Sequence, residues 1–260
     1  MLLRSKRCIV GGLTLVMLAT CTPRDQNRNR LDESYFPRVV LWAWERPENL
    51  KTVDPHHFSV AYLAQTLALK NDDVLLKPRH QPLDVSPEMK LIAVTRIESQ
   101  KTTGEYASLS DAQRHKAVEL ILRTMRLRNV SAIQIDFDAT SSERDFYRAL
   151  LHDVRAKLPD NLALSMTALA SFCVGDRWLS DLPVDEAVPM IFRMGADDRS
   201  IKNLLSSGED FREPLCQKSY GIAVDEPLDI KFKPNRRVYV FNHRSWKASD
   251  LTALNERLAK

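Results

Sequence analysis

Two aspartates two positions apart, Asp136 and Asp138, are the residues of this chain best placed to do chemistry. They close the stretch Ala-Ile-Gln-Ile-Asp-Phe-Asp-Ala-Thr from Ala132 to Thr140, which reads as a buried strand with a polar end. Side chains at i and i+2 of a strand share a face, so both carboxylates project to one side with α-carbons about 6.6 Å apart. Two acids that close need solvent, a counter-charge, hydrogen-bond donors or a ligand, and Asp is a poor strand former. The pair points to a site that handles protons or charge. Pairing with a buried Arg or backbone donors, and metal binding, are the competing roles.

Elements that can position such a pair recur along the chain. Strand candidates are Val39 to Trp44, Phe58 to Leu69, Leu91 to Ile97, Ala132 to Phe137, Ala163 to Leu169, Ala187 to Phe192, Tyr220 to Val224 and Val238 to Phe241. Between them lie helical patterns. One opens on a capping box at Ser110 and Gln113 and carries Val118, Ile121, Leu122 and Met125 on one stripe. A second is capped by Ser142, buries Phe146, Leu150 and Val154, and stops at Pro159; a last one begins near Ser249. Eight strands alternating with helices predict an α/β fold, an irregular (β/α)8 TIM-type barrel. The irregularity is early, where Tyr62 to Leu76 around Lys70-Asn71-Asp72-Asp73 reads as a hairpin.

A barrel collects chemistry at the C-terminal ends of its strands. Those ends supply Trp42, Trp44, Glu45 and Arg46, then Arg96 and Glu98, then Asp136 and Asp138. Further along come Thr167 and Ser171, Arg193 and Met194, Asp225 and Glu226, and Asn242, His243 and Trp246. Trp42 and Trp44 share a face and either stack on sugar rings or fill the core. Arg193 either holds a substrate carboxylate or neutralises the aspartates. Glu226-Pro227 is either part of the site or the start of an ordinary turn.

The N-terminus sets the compartment. Arg4, Lys6 and Arg7 precede an apolar run from Cys8 to Ala19, the pattern of a signal peptide over residues 1–20 and too short for a spanning helix. Leu18-Ala19-Thr20-Cys21 resembles a bacterial lipobox, with Thr20 a departure from the usual small residue, which implies a lipid on Cys21. Residues 21–34, rich in Asn, Arg, Asp and Gln, read as a tether, and residues 35–260 as a single domain. Export of the mature chain places it in the periplasm or cell envelope, held to a membrane through Cys21. Loss of residues 1–20 removes three basic and no acidic side chains, leaving 35 Lys and Arg against 34 Asp and Glu. That balance gives no footprint for nucleic acid. Cys173 and Cys216 then remain as a disulfide pair in an oxidising compartment, or as two buried thiols.

Other chemistries find little foothold. His56-His57 lacks a spaced third ligand, so no metal is expected, and the absence of phosphate-loop and dinucleotide-turn motifs argues against a cofactor.

Taken together, Leu41-Trp42-Ala43-Trp44-Glu45-Arg46-Pro47, Ile135-Asp136-Phe137-Asp138-Ala139, Val188-Pro189-Met190-Ile191-Phe192-Arg193-Met194-Gly195, Asp225-Glu226-Pro227 and Val238-Tyr239-Val240-Phe241-Asn242 resemble the bacterial family called domain of unknown function 3142. The resemblance runs from about Arg38 to Trp246 and implies a barrel related to glycoside hydrolases, without an assigned reaction. A looser resemblance is to family 18 chitinases, whose fourth strand ends in Asp-x-Asp-x-Glu with the Glu as general acid. Here the motif reads Asp136-Phe137-Asp138-Ala139-Thr140, and a hydroxyl cannot protonate a glycosidic oxygen as a carboxylic acid does.

If the chain is a glycosidase, its acid is another carboxyl: Asp138, Glu226, Asp225, Glu45 or Glu98, with Asp136 as a charge that raises a neighbour's pKa. The expectation is a glycoside hydrolase-like barrel acting on an envelope or extracellular polysaccharide, with Asp136, Asp138 and Glu226 catalytic. Trp42, Trp44, Glu45, Arg193, Asp225 and Asn242 would hold the sugar. A catalytically silent carbohydrate-binding barrel and an envelope scaffold are the alternatives.

Overall fold

Apolar segments buried on both faces, separated by amphipathic helices, close on themselves in the computed structural model, which describes residues 31, 36–226 and 228–258. The expected signal peptide, Cys21 and nearly all of the expected tether lie outside the described residues. Eleven strands and four α-helices are found among the described residues. The strands are β1 (Val39–Ala43), β2 (Glu48–Leu50), β3 (Phe58–Lys70), β4 (Asp73–Pro78), β5 (Leu83–Val85), β6 (Leu91–Ser99), β7 (Val130–Asp136), β8 (Ala163–Leu169), β9 (Glu186–Met190), β10 (Ser219–Ala223) and β11 (Arg237–Phe241). The helices are α1 (Asp111–Arg123), α2 (Arg144–Lys157), α3 (Asp198–Ser206) and α4 (Ala248–Leu258).

Strand β1 pairs in parallel with both β3 and β11, and this double pairing closes the ring β1-β3-β6-β7-β8-β9-β10-β11. All eight expected strands are present in a closed parallel barrel. The early irregularity is the hairpin β3–β4, antiparallel through Lys70↔Asp73 and turning on Asn71, whose φ of +49° suits a tight turn. The small parallel pair β2–β5 was not foreseen, because three-residue strands carry no periodicity.

Two cores result. Inside the ring, Val40, Trp42, Ala61, Ile92, Val94, Ala132, Ala163, Val188 and Tyr239 pack together. Outside it, the opposite strand faces meet the helices, with α2 contributing Phe146, Tyr147, Leu150, Leu151 and Val154 and lying against α1. At Gly221 an added Cβ would sit 2.9 Å from the Pro189 carbonyl and 3.2 Å from Val188, so only glycine lets β10 lie this close to β9. Cys173 and Cys216 are buried and bonded, with α-carbons 5.9 Å apart, tying the turn after β8 to the turn before β10.

Two helix starts differ in detail from the sequence expectation. Ser110 does cap α1 through the Gln113 N–H, but the Gln113 side chain accepts from Leu109 N and donates to the carbonyls of Asn71 and Asp73. It therefore ties the helix to the hairpin. Ahead of α2 the cap is Thr140, not Ser142: Thr140 and Glu143 form a reciprocal capping box around a 3-10 turn, Ser141–Glu143. Glu143 lies three residues after Thr140, the spacing a box requires, whereas Ser142 has the shorter Asp145 at that spacing instead of the Glu or Gln a box uses.

Candidate active site

Asp136 is the last residue of β7 and, in phase with Ala132 and Gln134, points into the barrel. It is only 6% exposed, and its Oδ1 accepts a 2.8 Å hydrogen bond from Thr167 Oγ1 on neighbouring β8. Arg96 Nη1, from β6 on the other side, lies 3.6 Å from Oδ2. Burial pushes the Asp136 carboxyl up to about 6; the charges of Asp138 and Glu98 add to this, while Thr167 and Arg96 oppose it. Asp138, two residues on, is exposed. The pair thus consists of one buried, proton-retaining carboxyl behind one that faces solvent.

Both line a cleft of about 420 Å³ at the C-terminal end of the barrel, between residues 96–102 and 136–138. Its second wall is the end of β6, where Arg96 Nε donates to Glu98 at 3.0 Å. Arg96 also lies over the half-buried Trp44 ring, 5.3 Å from its centroid. Glu143 stands next to this wall. Burial raises its pKa, but hydrogen bonds from the Ser99 hydroxyl and from the Thr140 hydroxyl and backbone N–H, with Lys101 3.6 Å away, outweigh burial and hold it below the usual range. It is a fixed anion that serves α2. Thr140, where family 18 chitinases carry their acid, is spent on the same cap.

Across the mouth lies a second ionic group. Both Glu226 oxygens accept from the Arg193 backbone N–H at 3.2 Å, and Arg193 is in the left-handed region at φ +51°. The Arg193 guanidinium lies 3.5 Å from Asp225, which is also 3.4 Å from His243 Nδ1. Aromatic rings join the two groups. Trp44 and Phe241 centroids are 6.1 Å apart, Trp42 touches both edge-on, and Phe192 stacks on Phe241 at 5.4 Å with 13° between planes. Arg193 lies over Phe241 at 5.8 Å.

The expected residues therefore separate by role. Asp136 and Asp138 meet in the cleft, while Glu226, Asp225 and Arg193 form the opposite cluster and do not line it. Trp42 is buried at 3% exposure and takes the core role, and Trp44 presents a ring at the mouth. Glu45 is exposed beside it. Asn242 is buried, donating to Asp250 at 3.2 Å and accepting from Arg244 N at 3.2 Å, so its amide braces the start of α4. Phe241 and Phe192 were not picked out as site residues. Their signal was present only as apolar residues at strand ends, indistinguishable from core. Among the described residues no cluster of three metal-ligating side chains is found, and no helix is long and apolar enough to cross a membrane.

Comparison with known proteins agrees with this architecture. Residues 88–193 match the family described as a domain of unknown function (DUF3142), a stretch that contains β6 to β9 and both cleft aspartates. No curated protein matches. Among solved structures, the chain is similar to "putative Chitinase A" from Streptomyces coelicolor at 9% identity and a TM-score of 0.52, covering 85% of this chain and 95% of that one. It also aligns with the Bacillus cereus spore cortex-lytic enzyme SleL, at 16% identity and a TM-score of 0.47 over 72% of this chain and 51% of that one. A third alignment is with the chitinase domain of the Clostridium difficile spore coat protein CotE, at 15% identity and 0.40 over 65% and 53%. The chain thus spans about half the length of the SleL and CotE chains it aligns with. At 9% identity, what the chain shares with the Streptomyces structure is the fold.

Proposed function

We propose that this chain is an exported, lipid-anchored barrel that acts on an envelope or extracellular polysaccharide in the cleft between β6 and β7, as a glycoside hydrolase-like enzyme. The observation that carries this reading is the Asp136–Asp138 pair: a carboxyl that keeps its proton to about pH 6 stands behind a solvent-facing one at a barrel mouth. Breaking a glycosidic bond needs a proton for the leaving oxygen and a negative charge near the developing oxocarbenium ion. Asp138 is the carboxyl that reaches the sugar. Asp136 holds a proton beside it, and Arg96 with Thr167 fixes the position of the Asp136 carboxyl. The Trp44 ring at the mouth offers a stacking surface. The likeness to a barrel named as a chitinase supplies the scaffold for this reading and not its reaction.

A second reading, a carbohydrate-binding barrel without turnover, is favoured by one observation. Thr140 replaces the family 18 acid and is committed to a helix cap, and the nearby Glu143 is held as an anion. Crystals soaked with mixed oligosaccharides test both readings. Either one expects a sugar in the cleft within hydrogen-bond reach of Asp138, with cleaved product only if the enzyme reading holds. Sugar bound elsewhere, or none at all, would contradict both.

A further inference from the structure

The segment that leads into the barrel is anchored at the end opposite the cleft. Leu31 and Phe36 are buried, at 3% and 0% exposure, and pack with Val40, Ile92, Ala132 and Ala163 inside the ring. Arg237, the first residue of β11, fastens them: its guanidinium donates to the Leu31 carbonyl and lies 5.7 Å from the centre of the Phe36 ring. Glu186, the first residue of β9, balances that charge at 3.5 Å and accepts from Tyr239 Oη and, at 3.3 Å, from Ser165 Oγ. This latch joins the N-terminal ends of strands, whereas Asp136 and Arg96 lie toward the C-terminal ends.

We infer that the barrel sits with its N-terminal pole toward the membrane and its cleft facing away. Its glycan is then a polymer that arrives from the solvent side, not a lipid-linked sugar lying in the bilayer surface. The inference rests on the acylation of Cys21 proposed above and adds a length argument. Cys21 and Leu31 are ten positions apart, a reach of at most about 33–36 Å when fully extended. A folded unit of this length has a radius of gyration of about 17 Å and is roughly 45 Å across. Chain led over its surface from one pole to the other must cover roughly 70 Å, about twice what ten residues supply. The tether can tilt the barrel but cannot lay its mouth on the lipid it is attached to.

Energy transfer tests the orientation. The acylated protein, labelled with a donor dye at Arg128→Cys before β7 or at Thr102→Cys on the cleft wall, is reconstituted into phosphatidylcholine–phosphatidylglycerol vesicles containing an acceptor lipid. Transfer is expected to be efficient from position 128 and at least threefold weaker from position 102. Equal or stronger transfer from position 102 would overturn the inference. A parallel sample, in which a diacylated cysteine is ligated to the chain from Thr22, gives the same readout whether or not cells acylate Cys21. A mass spectrum of the native N-terminus without lipid would instead remove the anchoring reading.

Discussion

At the scale of single residues, the distinctive feature is an aspartate whose burial works against the fold. Asp136 carries a folded-state pKa of about 6 against 3.8 for a free carboxyl, so the folded chain binds the proton more tightly than the unfolded chain. Stability is therefore lost as pH rises from about 4 through 6. Asp136→Asn keeps the acceptor for Thr167 and removes that charge. It should stabilise the protein by on the order of 2–3 kcal/mol at pH 7.5, with the gain disappearing below pH 4. Urea unfolding at the two pH values measures it; a gain equal at both, or a loss at pH 7.5, would show that the carboxylate is better satisfied than its burial indicates. A group that costs stability when ionised and also lines a cleft is a functional candidate for a physical reason.

Secondary-structure elements decide which of these residues can meet. The barrel strands were legible because they are buried on both faces and read as near-continuous apolar runs. Their pairing was not, and it is pairing that brings Arg96 of β6 beside Asp136 of β7 and Phe241 of β11 beside Trp42 of β1. The Thr140 cap was masked by Ser142, an equally good capping residue two positions later. Thr140→Ala should cost about 1 kcal/mol by removing one arm of the box and loosening Glu143, as chemical denaturation would show. No change would mean that Ser99 and Lys101 alone fix the turn. The Cys173–Cys216 bond closes a loop of 43 residues. Replacing both cysteines by serine should lower stability by roughly 2–5 kcal/mol. An unchanged unfolding midpoint would assign the stability of that region to packing alone.

Across the whole molecule, acid should act through the ion pairs of the N-terminal pole. Asp210 accepts from Lys233 at 2.9 Å and from Arg236 at 2.9 Å, and although burial opposes them these bonds hold its carboxyl at about 2. A depressed carboxyl stabilises the fold above pH 3.8 and stops doing so as pH falls toward 2. Asp210→Asn should thus weaken the protein at pH 7 and leave it unchanged at pH 2; equal loss at both would assign the effect to shape, not charge. The barrel, its eight strands and the cleft aspartates could be read from sequence because apolar runs and acid spacing are local properties. The separation of Asp138 from Glu226 into two clusters could not, because it depends on where residues about 90 positions apart land around a closed ring. The central claim, that the cleft processes a glycan through Asp138, is tested most directly by reducing-sugar release from envelope and plant polysaccharides. The wild-type protein should cleave at least one of them, and Asp138→Asn, with its circular dichroism unchanged, should lose at least a hundredfold in rate, about 2.7 kcal/mol of transition-state stabilisation. Full activity in Asp138→Asn, or no cleavage of any polysaccharide by the wild type, would contradict it.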